Sequence, residues 1–148
     1  MIHVRDLEAA IAFYRRALGC TVADRHRYEQ TDLVYLSLPG ARFELELLSP
    51  AHWPYGDAPE PGRSHLAFTV DDLDAEHARL TGLGIPADPI ADYVANGRHQ
   101  TRYFYFCDPE GNQIEFLETS GRYDQGSQHD ADTISDDRGD RVHRRRDR

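Results

Sequence analysis

Three side chains of this 148-residue sequence combine a reactive chemical type with a repeated position: His65, Glu46 and Glu115. Each glutamate lies between apolar residues in a short run, Leu45-Glu46-Leu47-Leu48 and Ile114-Glu115-Phe116-Leu117, and His65 opens a third, alternating run. Alternation of this kind is typical of a half-buried strand. An imidazole combined with carboxylate oxygens suits a borderline divalent ion such as Zn, Ni, Co, Mn or Fe. Metal-dependent chemistry is therefore the first hypothesis that these residues raise.

The strands that carry these residues belong to an internal duplication with a period of 66 to 69 residues. Asp6-Leu7 recurs as Asp72-Leu73, and Glu46 recurs as Glu115. In both copies an aspartate after the first strand provides a helix N-cap, from Asp6 in one and Asp71 or Asp72 in the other. The period is too long for a solenoid, so the pattern indicates one module that has been duplicated.

Each copy predicts the element order βαβββ. The first helix carries apolar residues spaced four, three and four apart and ends at a glycine (Leu7, Ile11, Tyr14, Leu18, then Gly19). The second helix repeats the stripe with Leu73, His77 and Leu80. We interpret 88–100 as a loop with a tight-turn signal at Asn96-Gly97, followed by an aromatic strand over 103–106. The sequence thus predicts an α+β protein.

Composition excludes several classes of function. The formal net charge of −9 argues against a nucleic-acid groove. All 17 basic residues are arginine, which excludes lysine-based Schiff-base chemistry. No apolar run is long enough for a membrane span, and the start lacks the features of a signal peptide. The two cysteines, Cys20 and Cys107, lie at non-equivalent places, which favours a reduced cytoplasmic protein.

Two segments do not fit the repeat. Residues 49–63 contain four prolines and two glycines, which predicts a loop joining the two copies. From 119 to the end the chain is rich in Gly, Ser, Gln, Asp and Arg, which predicts a disordered polar tail.

The duplicated pattern resembles the vicinal-oxygen-chelate superfamily, which includes glyoxalase I, bleomycin and fosfomycin resistance proteins, extradiol dioxygenases and methylmalonyl-CoA epimerase. The resemblance covers roughly residues 2 to 118. It rests on the run from His65 to Leu73, on Phe13-Tyr14 followed by Leu18-Gly19, and on the run from Asp108 to Glu115. It implies one glyoxalase-like domain, 1–118, whose two tandem βαβββ modules, 1–48 and 64–118, form a cupped mixed sheet.

The resemblance also implies a site. His65 and Glu115 match two metal positions of the second module, and Glu46 matches the corresponding position of the first. Glu115 or Glu46 is then the general base. Glu44 is expected on the same strand face as Glu46 and is a rival candidate, but the alignment of the two copies matches Glu46, not Glu44, with Glu115 and so favours Glu46 as the ligand.

The fourth metal position of the family has no match. The residue equivalent to His65 would precede Asp6 by seven positions, whereas His3 aligns with Thr69, about 13 Å further along the strand at about 3.3 Å per residue. We therefore expect His3 to line the rim of a pocket. Either the site has three protein ligands, or the first strand extends upstream of Met1.

The function implied is a metal-dependent lyase or isomerase of the lactoylglutathione lyase type, in which a proton moves beside a metal-chelated carbonyl. A glutathione hemithioacetal or another thiol adduct is a candidate substrate, with Arg98 and Arg102 as candidate contacts for its carboxylate. Alternatives are a bleomycin-type binding protein without catalysis and a fosfomycin-type thiol transferase; an extradiol dioxygenase is disfavoured because a histidine is absent. A homodimer is expected because open sheet edges are normally covered.

Overall fold

The computed structural model describes residues 1–52 and 65–118, so the predicted joining loop, apart from its first residues, and the predicted tail lie outside the described residues. Ten elements follow one another along the chain: β1 (Ile2–His3), α1 (Leu7–Leu18), β2 (Thr21–Tyr28), β3 (Thr31–Ser37), β4 (Glu44–Pro50), β5 (His65–Val70), α2 (Leu73–Gly82), β6 (Ala91–Ala95), β7 (Arg98–Cys107) and β8 (Gln113–Glu118). The order is βαβββ twice. The predicted α+β duplication is therefore confirmed.

Each module builds a four-stranded mixed sheet with the same connectivity. The strand orders are β1-β4-β3-β2 and β5-β8-β7-β6. In each sheet the first strand runs parallel to the last, and the remaining neighbours are antiparallel. Ile2 of β1 pairs with Leu47 of β4, and Phe68 of β5 pairs with Phe116 of β8. These pairs occupy equivalent positions in the two modules. The two copies therefore superimpose in register, with Glu46 equivalent to Glu115.

The helices begin and end where local chemistry dictates. Asp6 accepts a hydrogen bond from the Ala9 N–H at 2.9 Å, and Asp72 accepts one from the Ala75 N–H at 2.9 Å. These are N-caps that satisfy otherwise unpaired helix donors. Gly19 ends α1 with a φ of 68°, a conformation that a side chain would disfavour.

One core joins the two modules. The residues of α1 that turn inwards, including Ile11 and Tyr14, are buried together with Leu47 of the first sheet and Phe104 and Phe116 of the second. Because strands alternate, the residues between these core positions lie on the opposite side of each sheet, away from the helices. We call that side the open face of the sheet.

Polar contacts between the modules reinforce the core. The Tyr14 hydroxyl donates to Asp108 Oδ2 at 2.9 Å, in a fully buried position. At the C-terminal ends of the helices, Arg16 donates to the carbonyl of Leu83 at 2.7 Å, and Arg79 donates to that of Ala17 at 2.7 Å. Each helix thus has its terminal carbonyls satisfied by an arginine of the other.

Two elements differ from the prediction. Residues 88–100 are not simply a loop, because they contain β6 and the start of β7, joined at Asn96-Gly97 with positive φ angles of 54° and 71°. β4 extends to Pro50, two residues past the expected end of the strand. No helix among the described residues is long and apolar enough to cross a membrane.

Candidate functional site

His65 and Glu115 meet on the open face of the second sheet. His65 begins β5 and lies beside Gln113, while Glu115 lies two residues further along β8, beside Ala67. The Nε2 atom of His65 is 3.0 Å from Oε2 of Glu115. The Glu115 side chain is 12% exposed and that of His65 is 41% exposed. An imidazole nitrogen and a sheltered carboxylate therefore meet at a position that solvent and a ligand can reach from the His65 side.

Glu46 lies at the equivalent position of the first sheet. It pairs with Tyr35 across β3 and β4, between the buried Leu45 and Leu47. Tyr35 donates its hydroxyl proton to Glu46 Oε1 at 2.8 Å. This hydrogen bond is the main reason that the pKa of Tyr35 is raised. The Glu46 carboxylate is thus half-buried and restrained by a hydrogen bond, unlike a surface glutamate that rotates freely in solvent.

A tyrosine accompanies the glutamate in the second sheet as well. Tyr105 pairs with Glu115 across β7 and β8, as Tyr35 pairs with Glu46. Burial raises the pKa of Tyr105, and the charge of Glu115 and a hydrogen bond to it raise that pKa further. The His65 ring lies edge-on to the Tyr105 ring, with centroids 5.6 Å apart. Three side chains of three adjacent strands therefore form one group.

The three predicted metal ligands do not form one cluster within a single chain. His65 and Glu115 are in contact, whereas Glu46 belongs to the other sheet. Across 1–52 and 65–118, no group of three or more His, Cys, Asp or Glu side chains is arranged so that it could hold a metal ion. One chain thus provides a two-donor pair and, separately, a third carboxylate.

Three other predicted residues can be placed. His3 lies beside Leu48, and Thr69 lies beside Leu117 in the other module, which confirms the alignment of His3 with Thr69. Arg102 does not face the open side, because it binds Glu118 and Asp74 between the second sheet and α2, at 3.0 and 2.6 Å. The suggestion that Arg102 contacts a substrate carboxylate is therefore wrong. Arg98 lies at the tip of the β6–β7 hairpin, beside Ala95.

A cavity lies next to two strand neighbours of the His65–Glu115 pair, Tyr105 and Gln113, although neither His65 nor Glu115 lines it. It has a volume of about 560 Å³ and lies where α1 approaches β7 and the segment 84–88. Phe13, Ile85 and Pro86 give it apolar walls, and Tyr105 and Gln113 link it to the open face of the second sheet. A volume of this size is within the range of small-molecule sites.

Sequence reasoning missed Tyr35 and Tyr105. The signal was present, because each tyrosine precedes its glutamate by about one hairpin, at 11 residues for Tyr35 and 10 for Tyr105. Recognising it required the pairing register of the last two strands of each module.

Comparisons with known proteins agree with this fold. Residues 1–116 match the family model described as the Glyoxalase/Bleomycin resistance protein/Dioxygenase superfamily. The uncharacterized protein YwbC of Bacillus subtilis is 31% identical over 121 residues, which cover 79% of this chain and 92% of YwbC.

Solved structures share the fold. A glyoxylase/bleomycin resistance protein/dioxygenase domain from Frankia sp. EAN1pec has a TM-score of 0.67 at 23% identity, covering 80% of this chain and 87% of its own. TnmS3, an antibiotic binding protein from Streptomyces sp. CB03234, has a TM-score of 0.62 at 26% identity, covering 80% and 91%. A mutant of FosX, a fosfomycin resistance protein from Listeria monocytogenes, complexed with Mn(II) and 1S,2S-dihydroxypropylphosphonic acid, has a TM-score of 0.62 at 17% identity, covering 80% and 89%.

Proposed function

Because the chain belongs to the Glyoxalase/Bleomycin resistance protein/Dioxygenase superfamily, we propose that it is a metal-dependent enzyme of the glyoxalase type. The reaction would be proton transfer next to a metal-chelated carbonyl, as in a lactoylglutathione lyase. One observation carries the proposal: His65 Nε2 and Glu115 Oε2 lie 3.0 Å apart on an open sheet face. A glutamate that served only to solvate the surface would not be 12% exposed beside an imidazole.

The donor set fits a borderline divalent ion. His65 offers a nitrogen, Glu115 offers a carboxylate oxygen, and Glu46 is proposed as the third protein ligand. When bound, the ion would act as a Lewis acid toward neighbouring oxygens of the substrate. Zn, Ni, Co, Mn and Fe all suit these donors, and elemental analysis of the purified protein distinguishes them.

The protein's own carboxylates would move the proton. Glu115 is contacted by His65 and Tyr105, which favours a holding role, whereas the Tyr35 bond engages one oxygen of Glu46. We therefore favour Glu46 as the general base, with Glu115 as the alternative. The cavity of about 560 Å³ that Tyr105 and Gln113 help to line would receive the remainder of a small substrate, such as a glutathione or other thiol adduct.

A homodimer would bring the two halves of the site together. One chain holds Glu46 apart from the His65–Glu115 pair, so a second copy is proposed to supply the missing carboxylate across the open faces. Light scattering at tens of micromolar should give twice the mass of the chain. A strictly monomeric protein that nevertheless binds metal through Glu46 would contradict this part of the proposal.

We place the reaction in the cytoplasm on the basis of the cysteine usage.

The decisive experiment is metal analysis of the purified full chain. We expect roughly one divalent ion per site by elemental analysis after loading, and substantial loss of it in His65→Ala, Glu115→Gln and Glu46→Gln. Glu44→Gln is the matched control, because Glu44 lies on the same strand and the same face as Glu46 but is exposed. Equal metal content in the wild type and all four variants would refute the metal site.

A substrate panel then tests the reaction. Loaded enzyme should convert a methylglyoxal-derived hemithioacetal of glutathione or of another thiol, and Glu46→Gln should lower kcat by about 10²-fold or more, as expected for loss of a general base. Both variants are assayed at saturating metal, because both glutamates are also proposed ligands, and a larger loss of kcat in Glu115→Gln than in Glu46→Gln would instead assign the base to Glu115. Conversion of fosfomycin in the presence of a thiol would point to the thiol transferase alternative.

A binding protein without catalysis is the second candidate. It is favoured by the likeness to TnmS3, which is described as antibiotic binding, and by the apolar walls of the cavity. Calorimetry with bleomycin in the presence of a chelator separates the two functions. Tight binding without metal, unaffected by His65→Ala, would favour this alternative over the enzyme.

A further inference from the structure

A tyrosine faces each proposed glutamate in both modules. Tyr35 lies opposite Glu46 on adjacent antiparallel strands, and Tyr105 lies opposite Glu115 in the same way. Directly opposite side chains on one face are close enough to interact. The Tyr35 hydroxyl is 2.8 Å from Glu46 Oε1, and the pKa of Tyr105 is raised by burial and by the nearby charge of Glu115. The same pairing of tyrosine with glutamate therefore occurs twice, at equivalent places.

Each tyrosine ring also touches a histidine. His65 lies edge-on to Tyr105, with centroids 5.6 Å apart and planes at 83°. His26 lies edge-on to Tyr35, at 5.8 Å and 73°. Edge-to-face packing is a preferred arrangement of aromatic rings and restricts how far a ring can rotate. The tyrosine hydroxyls are thus presented to the glutamates by rings that are themselves held.

We propose that Tyr35 and Tyr105 are positioning residues that fix the carboxylates of Glu46 and Glu115 for metal binding. This inference rests on the proposed function. A glutamate has three rotatable side-chain bonds, so a free one must lose much conformational freedom when it binds an ion. A phenolic hydrogen bond to one oxygen fixes the carboxylate in advance. Loss of such an outer partner typically lowers metal affinity about 10- to 100-fold.

Tyr103 provides an internal comparison. It lies on the same strand and face as Tyr105, and their rings are 5.5 Å apart. Its cross-strand partner, however, is Leu117 rather than a carboxylate. Removing the Tyr103 hydroxyl changes the aromatic surface as much as removing that of Tyr105, but it breaks no bond to a proposed ligand.

The experiment compares Tyr105→Phe, Tyr35→Phe and Tyr103→Phe in the full chain, with Mn²⁺ and Co²⁺ as probes. Calorimetry should show that the dissociation constant rises about 10- to 100-fold for the first two variants and less than about 3-fold for Tyr103→Phe. The visible absorption of bound Co²⁺ should change in Tyr105→Phe and Tyr35→Phe. A merely structural role would leave that spectrum unchanged. Melting temperatures of the metal-free variants serve as the folding control.

The outcomes separate the two proposals. If the wild type binds the ions and Glu115→Gln loses them, but all three phenylalanine variants bind equally, the positioning role is refuted and the metal site stands. If the wild type binds neither ion, the proposed function fails and this inference fails with it. Weakened binding by Tyr105→Phe and Tyr35→Phe, together with an altered Co²⁺ spectrum, supports the positioning role.

Discussion

Tyr14 and Asp108 form a buried hydrogen bond between the two modules that can be measured directly. Tyr14 is fully buried in α1, and Asp108, in the turn between β7 and β8, is 5% exposed. Asp108 Oδ2 accepts from the Tyr14 hydroxyl and from Asn112 Nδ2, both at 2.9 Å. Its Oδ1 accepts from the backbone N–H groups of Glu110 and Asn112 at 2.9 and 2.8 Å. The carboxylate therefore organises the turn and attaches it to the helix of the other module.

The cost of breaking this bond follows from its charge and burial. Hydrogen bonds to charged groups contribute about 1.5 to 3 kcal/mol. We expect Tyr14→Phe to lower the free energy of unfolding by about that amount, because Asp108 keeps its other three donors. Asp108→Ala should cost more, on the order of 3 to 5 kcal/mol, because it also leaves the buried Tyr14 hydroxyl and two turn N–H groups unpartnered.

A double-mutant cycle isolates the bond. In the variant that carries both Tyr14→Phe and Asp108→Ala, no buried hydroxyl remains to be satisfied, so the loss should be smaller than the sum of the single losses by about 1.5 to 3 kcal/mol. Urea denaturation at pH 7, followed by circular dichroism, gives the four free energies. Tyr28→Phe is the control, because Tyr28 is 69% exposed, and should change stability by less than about 0.5 kcal/mol. Additivity of the two mutations to within about 0.5 kcal/mol would refute the reasoning.

Three further predictions concern thiols and pH. In native protein, Ellman's reagent should modify the exposed Cys107 and spare the buried Cys20 until urea is added; two thiols reacting at once would contradict this burial. Burial raises the pKa of Cys20 from 9.0 to about 11, so the stabilisation that this thiol provides is present below pH 9 and lost as pH rises toward 11. In Cys20→Ala, the free energy of unfolding should fall less steeply between pH 9 and 11 than in the wild type. An unchanged slope would count against this role of Cys20. Hydrogen bonds from Arg102 lower the pKa values of Asp74 and Glu118 below their ordinary values of 3.8 and 4.5, respectively. The free energy of unfolding should therefore fall as the pH drops below these ordinary values. Arg102→Met should weaken this acid dependence relative to the wild type.

The fold was predictable because its signals are local and occur twice. A capping aspartate, an apolar helical stripe and alternating strands are read within a dozen residues, and their recurrence after 66 to 69 residues fixed the equivalence of Glu46 and Glu115. Register within the module followed from the same equivalence, as the pairing of His3 with Leu48 confirmed. β6 was missed because Ala91–Ala95 is short, largely exposed and lacks an apolar alternation.

The surroundings of the site depend on distances that no local pattern contains. The Tyr35–Glu46 bond requires the β3–β4 register, and the His65–Glu115 contact requires two strands separated by more than 40 residues to lie side by side. Arg102 is a case in which the sequence misled. It lies on the face of β7 that is turned toward α2, where Glu118 and Asp74 bind it, and the sequence alone did not reveal those partners.

The exchange of arginines between the helix ends has a consequence for how the chain could be divided. The carbonyl of Ala17 is satisfied by Arg79, and that of Leu83 by Arg16. Neither half therefore contains all the donors that finish its own helix. A polypeptide ending at residue 52 and another starting at residue 65 should each be poorly structured alone, yet recognise one another and regain helical signal when mixed. In such split-protein complementation, the guanidinium group of each fragment hydrogen-bonds to the helix end of the other fragment. Arg79→Ala in one fragment should therefore weaken its reassembly with the other.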